Sequence, residues 1–559
     1  MLKPLQTLFI LAALLVVSAC TPLRPGPGHT AIASAHPLAT EAGFAIIGKG
    51  GNAFDAAVAV SAALAVVEPA GSGLGGGGFW LLHRQADGYQ VMLDGREKAP
   101  LAAHRDMYLD AEGNFIPDRS KDGALAAGIP GTPAALALLA EKYGRLPLSE
   151  SLQPAIRYAR QGFAIDERHR RLLRFRRQVL AADPVAVDIF LENGAVPQQG
   201  AILKQPELAE TLKKLAAAGR EGFYAGETAA RLVSGVQAAG GIWTLDDLAR
   251  YRVVERRPVQ GDYRGIHISS AALPSSGGIV LLEALQILSG YDLSSLDTVT
   301  RKHLIVEALR RAYHDRALYL GDSDFIKVPV ERLLDADYAA GLRSAIRLDR
   351  SLPSTYLSED LPDDPEGRHT THFSIIDSEG NRVAATMSIN FPFGSAFVAP
   401  GTGVLLNDEM DDFASRAGAL NGYGLTGGAA NAIAPGKRML SSMSPTFLDD
   451  GERVAVLGTP GGSRIISMLL LAVLDYAAGH GPESWVSVPR FHHQYIPDVI
   501  QYEPGGLTAE EIEQLGKLGH QFKEVSYRYG NMQAVQWDRQ TGRLDAASDP
   551  RGLGRAEVR

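Results

Sequence analysis

Arg368-His369-Thr370-Thr371-His372-Phe373-Ser374-Ile375-Ile376, then Asp377-Ser378-Glu379-Gly380-Asn381, then Arg382-Val383-Ala384-Ala385-Thr386-Met387-Ser388-Ile389 follow one another without a break and read as two strands joined by a polar turn. Both flanks carry β-branched and apolar residues, and Gly380 stands near the end of the turn, where a left-handed residue is wanted. With Asp377 facing Asn381, the register places Ser388 opposite Thr370. Opposed residues in an antiparallel pair have Cβ atoms about 4.5 to 5.5 Å apart, so this register brings two hydroxyls within reach of each other.

A threonine hydroxyl is a weak nucleophile until a base takes its proton, and one solution is an N-terminal Thr whose own α-amine is that base. Thr370 is internal, so the chemistry needs a cut between His369 and Thr370. The preceding segment, from Ser351 through Asp360, Pro362, Asp363, Asp364, Pro365 and Gly367, is polar and Pro-rich, as an accessible loop is. The expectation is self-cleavage: the Thr370 hydroxyl attacks the His369 carbonyl, the amide becomes an ester, and water releases two chains. The alternative on local pattern is an ordinary edge hairpin with surface threonines.

Composition narrows the remaining classes. The chain has 559 residues, 45% hydrophobic and 21% charged, which suffices for a large core or two layered ones. A formal net charge of -8 without blocks of Lys and Arg argues against nucleic acid, whose phosphates demand a basic footprint. At the start, Lys3 precedes the apolar run Leu8 to Val17, which is too short to span a bilayer but suits a signal peptide. Val17-Ser18-Ala19-Cys20 resembles a bacterial lipobox, making Cys20 the candidate lipidated N-terminus. The expectation is a leader over 1–19, a short stiff tether over 20–32, and export as a periplasmic or cell-surface lipoprotein that meets the membrane only through that anchor. The alternative reading of Cys20 is a chance thiol in a discarded leader.

Along the chain, Thr30 to Pro69 carries small apolar residues at helical spacing, broken at Gly48 to Asn52 before an Ala-rich helix from Asp55 to Val67. Gly71 to Gly78 is Gly-rich, but no Gly-Lys-Ser/Thr follows and the next residues, Phe79 to Leu82, read as a strand; close backbone packing is the better account. Thr244 with Asp247, and Thr508 with Glu511, read as helix caps. Arg310, Arg311, Asp315 and Arg316 are expected as solvated surface or structural ion pairs. Asn531 to Trp537 is read as the final strand. His492 and His493, adjacent on an extended chain, point to opposite faces, so neither a metal nor a cofactor is expected.

Four motifs, Thr370-Thr371-His372-Phe373-Ser374, Asn407-Asp408-Glu409-Met410-Asp411-Asp412-Phe413, Leu440-Ser441-Ser442-Met443-Ser444-Pro445 and Thr459-Pro460-Gly461-Gly462-Ser463-Arg464, resemble the γ-glutamyltranspeptidase family (glutathione hydrolase proenzymes) in order and spacing. The resemblance runs from about Ala33 to Arg551. It implies an α/β fold, the N-terminal nucleophile hydrolase αββα sandwich of two stacked sheets between helical layers, cut into a large subunit (33–369) and a small catalytic one (370–559). It implies a γ-glutamyl ester on Thr370, with Ser388 beside it and the amides of Gly461 and Gly462 facing the oxyanion. It assigns Asn390, Glu409 and Asp412 to the substrate's α-amine, and Arg96, Ser441 and Ser442 to its α-carboxylate. Tyr423, in the Gly-rich stretch Ala417 to Gly428, would wall the pocket from a lid. The partners implied are γ-glutamyl donors such as glutathione, amino acid, peptide or water acceptors, and the two subunits of one precursor.

The chain makes two departures from the family pattern. Ser388 stands where many members have Thr, and Phe391-Pro392 replaces a more polar pair in some, which leaves acceptor preference and the balance of transpeptidation against hydrolysis open. Two rivals remain: an amidase like the glutaryl-cephalosporin acylases, whose acyl group lacks the α-amine, and an uncleaved lipoprotein that binds without catalysis. Glu409 and Asp412 weigh against the acylase, because without a substrate ammonium their charges would lack a partner.

Overall fold

The turn sets the register of the hairpin. Strands Thr371–Ile376 and Arg382–Ser388 pair antiparallel, with Ile376 opposite Arg382 and Thr371 opposite Met387. The Asp377 amide donates to the Asn381 carbonyl at 3.0 Å, the Asp377 carboxylate accepts from the amides of Glu379 and Asn381, and Gly380 takes the left-handed conformation, φ +91°, that a side chain would resist. One further step of this register sets Ser388 against Thr370. The computed structural model from which these contacts are taken describes residues 26–357, 370–414 and 428–559.

The hairpin lies in the middle of a sheet, which overturns the edge-hairpin alternative. Strand order there is Arg555–Val558, Ala31–Ser34, Thr371–Ile376, Arg382–Ser388, Gly77–Arg84, Tyr89–Gly95 and Val254–Arg256, every neighbour antiparallel. A second antiparallel sheet runs Leu544–Ser548, Gln533–Asp538, Arg453–Gly458, Thr446–Asp449, Ile266–Ser270 and Val259–Tyr263.

Period-two alternation then builds the layers, since successive side chains of a strand face opposite sides. Trp80, Leu82, Phe373 and Ile375 enter a core shared with helices Pro37–Ile47 and Ala53–Val67. Phe79, Leu81, Ile376 and Ala384 enter a second core with Phe447, Val456 and Val535 of the other sheet, which helices Gly277–Ser289, Thr298–Tyr319 and Arg464–Ala477 also join. The result is helix, sheet, sheet, helix, the αββα order. The glycines of the Gly-rich turn make room for it: a Cβ on Gly75 would sit 2.0 Å from the Leu405 carbonyl oxygen, and one on Gly76 2.1 Å from that of Ser388.

Three sequence expectations are corrected. Ala31–Ser34 is a strand, not helix, because a short apolar run buried on both faces carries no period that distinguishes the two. Asn531 to Trp537 does not close the fold: strands Leu544–Ser548 and Arg555–Val558 follow, and the last pairs with Ala31–Ser34 in the other sheet. Of the two options for Arg310, Arg311, Asp315 and Arg316, the solvated surface is overturned, since all four are buried, and structural ion pairs hold for Arg310, with Glu307 and Asp498, and for Arg311, with Glu307. Both caps, Thr244 with Asp247 and Thr508 with Glu511, form as reciprocal capping boxes. No helix among the described residues is long and apolar enough to cross a membrane.

Candidate active site

Thr370 stands one residue before the central strand, 4% exposed, and its Oγ1 is buried without a hydrogen-bond partner among the described residues. A buried hydroxyl left unsatisfied costs about 1 to 3 kcal/mol, so an unpaired one at the mouth of a site is notable. Thr371, pointing the other way by alternation, donates to Glu68 at 2.5 Å. His372 is no candidate base for its neighbour: burial lowers its imidazole to about 3, and it bridges Thr386 and Ser374 at 2.8 and 3.1 Å between the sheets.

Thr370 lines one small cavity with Ser388, Asn390, Arg96, Glu409, Asp412, Ser441, Ser442 and Gly462. Residues drawn from segments far apart in sequence thus converge on one place. The Ser388 hydroxyl accepts from the Asn390 amide at 2.7 Å rather than bonding Thr370. Asn390 holds a left-handed backbone, φ +73°, a conformation that Asn tolerates better than most residues, and its side chain donates to the Asp408 carbonyl at 3.0 Å. The Ser441–Ser442 segment is cradled by the turn before helix Gly277–Ser289: the Ser276 amide and hydroxyl both donate to the Ser441 carbonyl, at 2.8 and 2.7 Å.

The charged groups are already engaged. Arg96, buried at the end of strand Tyr89–Gly95, donates to Glu409 at 2.5 Å and to Asp412 at 2.6 Å. Burial alone would lower its guanidinium, but Glu409, Asp412 and Glu97 together hold it above its ordinary value. Burial raises Glu409 to about 7, with Arg96 opposing and Asp412 adding to the rise. Glu97, fully buried 3.5 Å from Arg96, is pushed well above its ordinary value by burial, with Glu409 adding to the rise and Arg96 opposing it. This pairing corrects the reasoning that set the two acids against an acyl group without an amine: Glu409 and Asp412 have a partner in Arg96. It also fills the cavity, whose remaining volume is about 20 Å³, room for one water.

Gly461 and Gly462 both take positive φ, 147° and 57°, immediately before helix Arg464–Ala477. Neither amide donates to the backbone of another described residue, so two N–H groups at a helix N-terminus remain for an anionic oxygen. Gly462 lines the cavity that holds Thr370, whereas Gly461 lines a larger neighbouring one. Tyr423, His369 and Cys20 lie outside the described residues.

Arg316 is the residue that sequence reading missed. It lines the same cavity, donates to Ser276 at 2.9 Å and to Ser442 at 3.4 Å, and among the described residues forms no ion pair. Burial lowers it to about 10. The available signal was its place near the end of a long helix whose apolar positions do not confine themselves to one face. His303, Glu307 and His520 also cluster, but the Glu307 carboxylate is taken by Arg310 and Arg311 and His303 Nε2 lies 2.7 Å from the Arg347 carbonyl, which makes the cluster packing rather than a metal centre.

Residues 39–558 match the sequence profile of the family described as Gamma-glutamyltranspeptidase. The glutathione hydrolase proenzyme of Pseudomonas sp. (strain A14) is 44% identical over 527 residues, 93% of this chain and 91% of the relative. Among solved structures, cephalosporin acylase from Bacillus halodurans superposes with a TM-score of 0.83 at 30% identity, covering 95% of this chain and 96% of that one. Helicobacter pylori γ-glutamyltranspeptidase matches with a TM-score of 0.57 at 43% identity, over 58% of this chain and 93% of that chain.

Proposed function

The chain belongs to the γ-glutamyltranspeptidase family, and from that membership we propose that it cuts itself before Thr370 and then transfers the γ-glutamyl group of glutathione and related compounds to water or to an amine. The observation that carries the reading is the buried, unpartnered Thr370 hydroxyl in a cavity that also holds Arg96, Arg316, Glu409 and Asp412. A glutamate head bears an ammonium and a carboxylate a few ångströms apart, and this wall offers both opposite charges.

After the cut, the freed α-amine of Thr370 takes the hydroxyl proton as Oγ1 adds to the γ-carbonyl. The tetrahedral oxyanion faces the amides of Gly461 and Gly462; losing one such donor typically costs about 100 to 1000 fold in rate. The C–N bond breaks, the proton passes to the leaving amine, and a γ-glutamyl ester remains until water or an acceptor amine restores the hydroxyl. Substrate exchanges partners with the protein: its ammonium takes over Glu409 and Asp412 beside Asn390, and its carboxylate takes Arg96 with Ser441 and Ser442. Ser388 holds the Asn390 amide, and Tyr423 would cover the pocket. Cleavage gives subunits 33–369, preceded by the tether 20–32, and 370–559. Export under a leader, 1–19, with a lipid on Cys20 belongs to the same proposal and rests on the sequence.

The acylase-like reading stays as second choice on one observation: Arg96 already neutralises the acids, so an acyl group without an amine leaves no new unpaired charge where its carboxylate sits on Arg316 and not on Arg96. Chromophore release from a γ-glutamyl anilide, set beside the glutaryl anilide that lacks only the amine, separates the two, with Thr370→Ala as the blank. Preference for the glutamyl compound, lost in the variant, supports the proposal; equal or reversed preference supports the acylase. No release from either, with one intact chain on a denaturing gel, favours a non-catalytic binding protein.

A further inference from the structure

Helix Glu167–Leu180 turns His169, Leu172, Leu173 and Leu180 inward, and one position on that same face is Arg176. Its side chain is buried, 7% exposed for the whole residue. A charge so placed is costly unless it is paired and hydrogen-bonded. Arg176 Nε donates to the Pro392 carbonyl at 3.1 Å, and Nη2 donates to the Gly394 carbonyl at 2.9 Å and to Asp122 at 2.8 Å. Both carbonyls belong to the loop that follows Ser388, and Arg176 itself stands outside the Thr370 cavity.

That loop is strained. Asn390, Phe393 and Ala396 hold positive φ of 73°, 61° and 58°, three of the six non-glycine residues that do so among the described ones, so half of this strain is gathered in one short loop beside the nucleophile. Such conformations persist only where the surroundings over-determine them, and they cluster at functional sites. Asp408 holds one end, its carboxylate accepting from the Phe391 amide and its carbonyl from the Asn390 side chain. The Leu406 carbonyl holds the other, accepting from the Ser395 amide at 3.0 Å. Between them Arg176 grips Pro392 and Gly394, and the same helix sets His169 edge-on to Phe393 with ring centroids 5.6 Å apart. The Phe391-Pro392 pair, one of the departures from the family pattern, acts in the same sense: a proline fixes its own φ and restricts the residue before it.

We propose that Arg176 is a positioning residue for recognition of the substrate's α-amine. The loop opens with Asn390, which lines the Thr370 cavity, and Arg176 holds the loop in the arrangement that aims Asn390 at the incoming ammonium. The inference rests on the γ-glutamyl transfer reading, which gives Asn390 that role. Without the guanidinium, the carbonyls of Pro392 and Gly394 lose a charge-assisted donor. The left-handed residues then relax toward ordinary φ and carry Asn390 off its line. The nucleophile and the oxyanion turn are held by other elements, the central strand Thr371–Ile376 and helix Arg464–Ala477, so the chemistry of an acyl group already in place is spared. The effect falls on discrimination: an acyl group with an α-amine loses its advantage over one without.

The test measures inhibition of γ-glutamyl anilide turnover by glutamate and by glutarate in processed wild type, Arg176→Met and Arg176→Lys, with the melting temperature of each. Wild type is expected to favour glutamate about tenfold and Arg176→Met to lose most of that ratio, as removal of charge-assisted hydrogen bonds implies, with KM for the anilide raised and kcat nearly retained. Arg176→Lys keeps a charge in the same place without the fork that spans two carbonyls, so it should fold as wild type does and give an intermediate ratio. A merely structural role would lower the melting temperature and leave the ratio alone. An unchanged ratio in Arg176→Met, or in Arg176→Lys where the methionine variant does not fold, overturns the proposal, as does a wild type that fails to separate the two inhibitors. Anilide release with an unchanged ratio defeats this inference alone, whereas absence of release by wild type defeats the transfer reading beneath it.

Discussion

Arg96 Nη2 donates to Asp412 Oδ2 at 2.6 Å, so the cation and the anion assigned to opposite ends of one substrate grip each other. A ligand carrying both charges replaces each partner as it separates them, whereas a ligand with one charge strands the other group in a buried site. Breaking a buried pair without replacement costs about 3 to 5 kcal/mol. Free glutamate should therefore compete with a γ-glutamyl anilide at least about tenfold better than glutarate, which lacks the amine, or 4-aminobutyrate, which lacks the carboxylate. Inhibition constants measured side by side check this; glutarate as potent as glutamate would mean that Arg96 does not exchange partners.

Arg316 supplies the cavity's second guanidinium, aimed at Ser442 from Ser276. Arg316→Lys keeps the charge but cannot span both hydroxyls, because an ammonium lacks the fork of a guanidinium. The expected outcome is KM for γ-glutamyl donors raised about tenfold, with kcat nearly retained. A fall in kcat at unchanged KM would place Arg316 in the chemistry instead, and a loss of folding would show as a lowered melting temperature with both constants poor.

How much of this was legible in sequence depended on how locally each feature is encoded. The hairpin register follows from Asp377, Gly380 and Asn381, residues that bond one another within a few positions, so it could be read directly. The caps at Thr244 and Thr508 are equally local. Ala31–Ser34 was misread because its strand character comes from partners at 371–376 and 555–558, contacts that no local period announces. The pairing of Arg96 with Glu409 and Asp412 spans more than three hundred positions. Motif resemblance could nominate those three residues but not show that they neutralise one another. Arg316 escaped notice because nothing marks a helix charge as buried until its neighbours at Ser276 and Ser442 are in place.

Ser388 holds the Asn390 amide at 2.7 Å, in a loop whose left-handed Asn390 faces the cavity. Ser388→Ala removes the acceptor from a buried amide, a loss of about 1 to 3 kcal/mol, and loosens the residue next to the nucleophile. The variant should denature earlier in urea and cut itself more slowly before Thr370, while Ser388→Thr, which retains the oxygen, should restore both. A gel time course of cutting and an equilibrium denaturation curve read the two effects. Normal cutting in Ser388→Ala would show that this hydroxyl serves packing only.

The pH profile follows from two groups that must each lose a proton. Burial raises Glu409 to about 7, with Arg96 opposing, and it must be ionised to receive a substrate ammonium. The α-amine of the cut Thr370, with an ordinary value of about 7.7 to 8.0, must be neutral to take the hydroxyl proton. Both requirements favour higher pH, so kcat/KM should rise with a slope steeper than one proton below pH 7 and flatten above the amine's value. Glu409→Gln deletes one of the two ionisations: the acidic limb should relax to a single-proton slope and retain the amine's inflection, at a lower plateau because one charge for the ammonium is gone. A limb that keeps its two-proton slope in the variant would assign the lower ionisation to another group, and a profile flat from pH 6 to 9 in wild type would remove both groups from the mechanism.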